Sequence, residues 1–176
     1  MAQKIRRVIT GLNAQGRSTV LFDDQNGQVK EMESMPGVAL TDVWETTSSP
    51  ADNSGAKDAI RRPVRLEPLL GGSIFRVVEL PPDTAWLNKA NAAAAFSSIG
   101  ADSARDRDSS DPMRHKTATI DYIIVLKGEI HAVLDTGSIL LKQGDLFVQR
   151  GTVHSWSVKG TEPCLIAAIL IAANPI

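Results

Sequence analysis

His115, Asp121 and His154 are the side chains of this sequence whose types and spacing suit chemistry. Histidine changes charge near neutral pH, which suits a base that moves a proton. Read with a period of two, His115, Thr117, Thr119, Asp121, Ile123 and Val125 share one face of a strand over 114–126. That face starts polar and ends apolar, as a strand does when it runs from a pocket mouth into a core. Downstream, Gly144-Asp145 leads through a short apolar run to Gly151-Thr-Val-His154, which delivers a second histidine just after a tight turn. The two imidazoles and the carboxylate are therefore expected to converge, with His154 or Asp121 moving a proton.

Neighbouring residues have two readings each. Trp156 shares parity with His154 and forms either a pocket wall or part of the core. Tyr122 has the opposite parity from Asp121 and packs outside. His131 lies opposite Ile130, Ala132 and Leu134, which places it at a rim. Arg76 and Glu79 cannot both point inward. An inward Arg76 would bind a substrate carboxylate or enolate with its fork of donors, and an inward Glu79 would act as acid or base. Otherwise the two make a rim ion pair, the common fate of charged side chains.

The elements that must position these groups read as strands. They run over 5–9, 18–22, 38–46, 73–80, 114–126, 129–134, 139–141, 146–149, 153–158 and 164–172. Glycine, Asn and Asp turns separate them, including Asp23–Gly27. Gly71-Gly72 and Pro81-Pro82 bracket the strand over 73–80. One short helix is expected over 88–96, around four consecutive alanines. Residues 47–57 form a loop, and 100–112, dense in Ser, Asp and Arg, form a solvated loop over or beside the pocket. Short strands without strand–helix alternation indicate an antiparallel sandwich or barrel rather than a parallel α/β sheet.

Composition removes several classes of function. A chain of 176 residues that is 43% hydrophobic holds one domain with a real core. Its net charge is −1, and the basic pairs Arg6-Arg7 and Arg61-Arg62 are too short for a nucleic-acid footprint. The single cysteine, Cys164, excludes an internal disulfide and a thiolate zinc cluster, and reads as a small buried hydrophobe. The apolar run that follows it is too short to span a bilayer as a helix. The start, Met1-Ala-Gln-Lys-Ile-Arg-Arg-Val, has no apolar signal core, so a cytoplasmic protein is expected.

The two histidine segments resemble the paired motifs of the cupin superfamily, the small double-stranded β-helix or jelly-roll proteins. The first cupin motif is Gly-x5-His-x-His-x3–4-Glu-x6-Gly. Here His115-x-Thr117-x3-Asp121-x6-Gly128 keeps its spacing, with Thr for the second His, Asp for Glu, and Ser109 where the initial Gly stands. The second motif is Gly-x5-Pro-x-Gly-x2-His-x3-Asn. Gly144, Gly151 and His154 match it, one residue short in the first segment, with Gln149 for Pro and Val158 for Asn.

The resemblance implies an all-β fold, an antiparallel jelly-roll barrel over 63–176. Residues 1–62 would add N-terminal strands to a sheet, and at most one short helix is expected. A homodimer is also implied. In metal-binding cupins the matched positions hold an ion, so the resemblance implies His115, Asp121 and His154 as ligands of one divalent metal, with Thr117 lost as the fourth. Two imidazoles and a carboxylate suit Fe(II) and are compatible with Zn, Mn or Ni. A metal-free pocket is the equal alternative, with Arg76, Thr117 and Trp156 binding substrate. The implied activity is proton transfer on a carbonyl or carboxyl metabolite, polyketide-derived or aromatic: dehydration, isomerisation, cyclisation or decarboxylation. The alternatives are a non-haem metal-dependent oxidoreductase or dioxygenase and a non-catalytic small-molecule binder.

Overall fold

In the computed structural model, residues 2–25 and 27–176 are described, so Met1 of the N-terminal reading and Asn26 of the predicted 23–27 turn lie outside the described residues. Among these residues eleven strands run in the order β1 (Arg7–Leu12), β2 (Ser18–Asp24), β3 (Gln28–Glu31), β4 (Ala39–Thr46), β5 (Ser73–Leu80), β6 (Thr119–Lys127), β7 (Glu129–Leu134), β8 (Gly137–Lys142), β9 (Leu146–Gln149), β10 (Ser155–Ser157) and β11 (Cys164–Ala172). Every pairing among them is antiparallel. A six-stranded sheet, β3-β4-β5-β11-β6-β9, faces the three-stranded sheet β10-β7-β8, and β1-β2 forms a separate hairpin. The β3 and β4 strands thus extend the barrel sheet within one chain, through the pairing of β4 with β5.

Alternation decides what the sheets enclose. Inward residues Ile74, Ile123, Val125, Ile166, Ala168 and Leu170 of the large sheet meet Ile130, Ala132 and Leu141 of the small one in one buried cluster. Burial of each aliphatic side chain contributes roughly 1.5–3 kcal/mol. Cys164 belongs to that cluster, and burial pushes its thiol up to about 11.

A second cluster caps the barrel, formed by Met32, Met35, Val38 and Leu40 with Trp86, Ala92, Ala95 and Phe96. Where the sequence reading puts one helix over 88–96, the cap contains α1 (Asp83–Trp86), a 3-10 turn over Leu87–Lys89, and α2 (Ala92–Ser97). Pro82 starts α1, and Asn91 starts α2 by accepting a hydrogen bond from the Ala94 N–H at 3.1 Å, so the alanine run enters its helix later than its composition suggests. Among the described residues no helix is long and apolar enough to cross a membrane.

The reading of 114–126 as one strand is corrected. β6 begins at Thr119, and His115 lies in isolated bridges with Arg105 and with His154. The sequence reading also omits β3, whose Gln-Val-Lys-Glu carries a single apolar residue because it is an edge strand with little to bury.

The β1-β2 hairpin is tied down by charge. Arg7, buried, donates to Asp58 at 2.9 and 2.6 Å and to Asp24 at 2.8 Å, with its guanidinium 5.4 Å from the Phe22 ring centre.

Candidate functional site

A cavity of about 110 Å³ lies where the two apolar clusters meet. Val78 and Met113 pack against both clusters and line it. All six residues singled out from the sequence, Arg76, His115, Thr117, Asp121, His154 and Trp156, line this one cavity. The remainder of its wall is apolar.

The two histidines are carried as a unit. The His115 N–H donates to the His154 carbonyl at 2.9 Å, and the His154 N–H donates to the His115 carbonyl at 2.9 Å. This reciprocal pair sets the rings side by side, with centroids 4.3 Å apart and planes 52° from parallel. Gly151 makes the approach possible, since a Cβ there would meet the Thr117 carbonyl oxygen at 2.9 Å.

Each ring is also held by its Nδ1. That of His115 lies 2.7 Å from the Met113 carbonyl, and that of His154 lies 2.9 Å from the Thr152 carbonyl. A carbonyl only accepts, so both Nδ1 atoms carry hydrogen, and in the neutral rings both Nε2 atoms are acceptors. Burial lowers the basicity of both rings. For His154 it does so to about 3, with the neighbouring His115 adding to the effect.

Asp121 sits on β6, buried, with its Oδ1 without a hydrogen-bond partner. Burial pushes its carboxyl up to about 6, opposed by a hydrogen bond from Thr119 and by the charge of Arg76, and assisted by that of Glu67. The Thr117 and Thr119 hydroxyls bond each other at 2.8 Å, so Thr117 is tied to Thr119.

The parity question on β5 is settled by its neighbour. Arg76 points inward, and Glu79 lies on the other face, accepting from the Gln3 N–H at 2.8 Å. The Arg76 Nε donates to the fully buried Asp42 at 2.7 Å, and its terminal nitrogens donate to the carbonyls of Arg65 at 2.6 Å and Leu66 at 3.3 Å. Asp42 in turn accepts from Arg62 at 2.7 Å, and Glu45 accepts from Arg62 and from Arg65. The guanidinium of Arg76 is thus a compensated charge.

Asp42 and Glu67 are the contributors the sequence reading leaves out, while Thr119 is placed on the face of Asp121 without a role. Asp42 had a signal, a carboxylate at the same parity as Leu40 in an apolar run. Glu67 had none, since its loop carbonyls and its bond from the Ala118 N–H at 3.0 Å exist only in the fold.

Trp156 forms a wall, edge-on to His154 at 5.7 Å and to Phe147 at 5.9 Å. Tyr122 is exposed and His131 half-buried, both off the cavity. Among the described residues the 100–112 loop contributes none to the cavity wall, and it is pinned: Asp111 accepts from Ser155 and from the Met113 N–H at 2.9 Å, and Arg114 pairs with Asp106 and Asp135.

The donor set matches a metal ion only in part. His115 and His154 offer a pair of unprotonated nitrogens whose opposite edges are anchored, the usual preparation of metal-binding imidazoles. Among the described residues, however, no three His, Cys, Asp or Glu side chains are grouped closely enough to hold an ion. With Thr117 in place of a third imidazole, a complete ligand set is not assembled.

Comparison with known proteins bears on the same residues. The family model Cupin_2, a cupin domain, matches residues 105–170. Phomopsin biosynthesis cluster protein C' of Diaporthe leptostromiformis is 35% identical over 120 residues, which cover 65% of this chain and 50% of that protein. The cupin-domain-containing oxidoreductase srdD of Neurospora crassa is 29% identical over 181 residues, covering 99% of this chain and 78% of that one. The chain spans about half the length of the first of these relatives. Among solved structures, the Schizosaccharomyces pombe Cnp3 cupin domain is 13% identical and covers 97% of this chain and 89% of its own, with a TM-score of 0.46.

Proposed function

We propose that this chain, whose residues 105–170 match a cupin domain, is an enzyme of small-molecule metabolism that transfers a proton within a carbonyl-bearing metabolite held in the barrel cavity. The observation that carries the reading is a set of acceptors without hydrogen-bond partners lining one cavity. The two anchored imidazoles present Nε2 lone pairs, and the Asp121 Oδ1 has no partner, all in a wall that is otherwise apolar. Water excluded from such a wall leaves these atoms for a substrate. Asp121, whose charge is disfavoured there, takes the proton from carbon, the C–H electron pair passing to the carbonyl oxygen as an enolate, and returns the proton to that oxygen, so that no net charge is left on the ligand in the low-dielectric site. His154 accepts a hydrogen bond from the substrate and keeps it oriented, while Trp156 limits its rotation. The relative named for a biosynthesis cluster supports a place in specialised metabolism.

The test is exchange of the carbon-bound α-hydrogen of a hydroxy-ketone with D2O, followed by NMR. Exchange catalysed by the protein and lost in Asp121→Asn supports the reading; no exchange above buffer with bound ligand overturns it. A second reading, a metal-dependent oxidoreductase, is favoured by the Nδ1 anchoring and by the oxidoreductase name of the Neurospora relative. Metal analysis and oxygen uptake test it. Tightly bound iron with oxygen consumption that His154→Ala abolishes would replace the first reading with the second.

A further inference from the structure

The cavity's charges and lone pairs select the kind of molecule it takes, and this deepens the proposed reading by naming the ligand class. Among the described residues Arg76 is the only lysine or arginine in the wall, and its charge is spent on Asp42 and on the carbonyls of Arg65 and Leu66. Arg114, the other cation whose field reaches His154, is paired with Asp106 and Asp135. The remaining charges acting on His115 and Asp121 are those of Asp111 and Glu67, both carboxylates. An anionic ligand would meet no uncompensated cation and would bring its charge against acceptor atoms.

Those acceptors, His115 Nε2, His154 Nε2 and Asp121 Oδ1, call for donors. An unmet acceptor in a dry site costs about 1–3 kcal/mol, so a hydroxyl that reaches one gains affinity over a ligand lacking it. The rest of the wall, with Met35, Val38, Leu40, Phe96 and Ile99 on the cap side, offers a polyhydroxylated molecule nothing to bond. Size follows from volume. An apolar cavity of about 150 Å³ admits benzene, so about 110 Å³ fits a smaller body as it stands. The flexible Met32, Met35 and Met113 provide room for a larger one by changing rotamer.

We infer that the cavity binds an uncharged hydroxy-carbonyl compound with an apolar body, its hydroxyl donating to the imidazole pair, and discriminates against carboxylates and sugars.

Three small probes of similar size separate the terms: acetoin, methyl propyl ketone and butyrate, with glucose as the polyhydroxylated control. Dissociation constants are read by ligand-observed NMR on the whole chain at neutral pH. Acetoin is expected to bind at least about fivefold tighter than the ketone, the factor for one hydrogen bond of about 1 kcal/mol, and tighter still than butyrate and glucose. His154→Phe, checked for folding by circular dichroism, should bring acetoin down to the ketone's affinity for the same variant. Should that variant fail to fold, the wild-type ranking alone decides. Equal affinities, a preference for butyrate or glucose, no binding of acetoin, or a hydroxyl preference that survives in folded His154→Phe would each overturn the inference. Binding in the expected order without hydrogen exchange from acetoin would sustain this inference while overturning proton transfer. Hydrogen exchange with the wrong ranking would do the reverse.

Discussion

Asp121 and His154 titrate in opposite directions, and their opposition gives a stability signature. The unfolded carboxyl has its ordinary pKa of 3.8, while the folded one is near 6. Between these values the folded chain holds a proton the unfolded chain has lost, so Asp121 makes stability fall as pH rises. The unfolded His154 has its ordinary 6.5, while the folded ring is near 3. Over the same window the unfolded chain holds the extra proton, so His154 makes stability rise with pH. Each slope is about 1.4 kcal/mol per pH unit, and between pH 4 and 6 the two nearly cancel. His115, also lowered, adds to the histidine side.

Asp121→Asn keeps the shape of the protonated carboxyl and removes only its titration. Urea unfolding of both proteins at pH 4, 5, 6 and 7 reads the difference. The variant should lose stability relative to wild type as pH falls from 6 to 4, by about 2 kcal/mol in all. A fixed offset between the proteins is immaterial, since the reasoning concerns only how the gap changes with pH. A gap that stays constant across the series would refute the burial of a neutral Asp121.

Other expectations are open to direct measurement. Nitrogen NMR of His115 and His154 should show hydrogen on Nδ1 and a bare Nε2 at neutral pH, and Nε2-protonated rings would contradict the carbonyl anchoring. Arg7→Met leaves the buried Asp58 without its main partner and should cost about 3 kcal/mol in urea unfolding; an unchanged midpoint would show the hairpin to be held otherwise. Gly151→Ala forces the Thr117 carbonyl aside and should cost about 1–3 kcal/mol while shifting the imidazole resonances. Cys164 should resist thiol reagents at neutral pH until the chain unfolds, and rapid native labelling would place it outside the core.

How far the sequence could be read depended on whether a signal was local. The boundaries of β5, β7, β9 and β11 were legible because glycine, proline and turn residues bracket apolar runs. The partners of the site were legible from motif spacing, which follows the turns of one barrel. The direction of Arg76 was not, because both faces of β5 are apolar and only Asp42, from a strand paired in space, makes the inward position tolerable. The 114–118 segment misled because alternating polar residues look like a strand even where only an isolated bridge forms. The two-histidine anchoring was invisible as well, since Met113 and Thr152 contribute through their carbonyls rather than their side chains.

The reciprocal bonding of His115 and His154 has a mechanical consequence. The distance between the rings is set by two main-chain bonds joining one segment to another, whereas Asp121 rides on a separate strand. Breathing of the barrel mouth therefore moves the imidazoles as a rigid couple and varies only their distance from the carboxyl. The two amides should then open together, with equal protection factors in deuterium exchange, and the histidines would behave as one jaw closing against a fixed one.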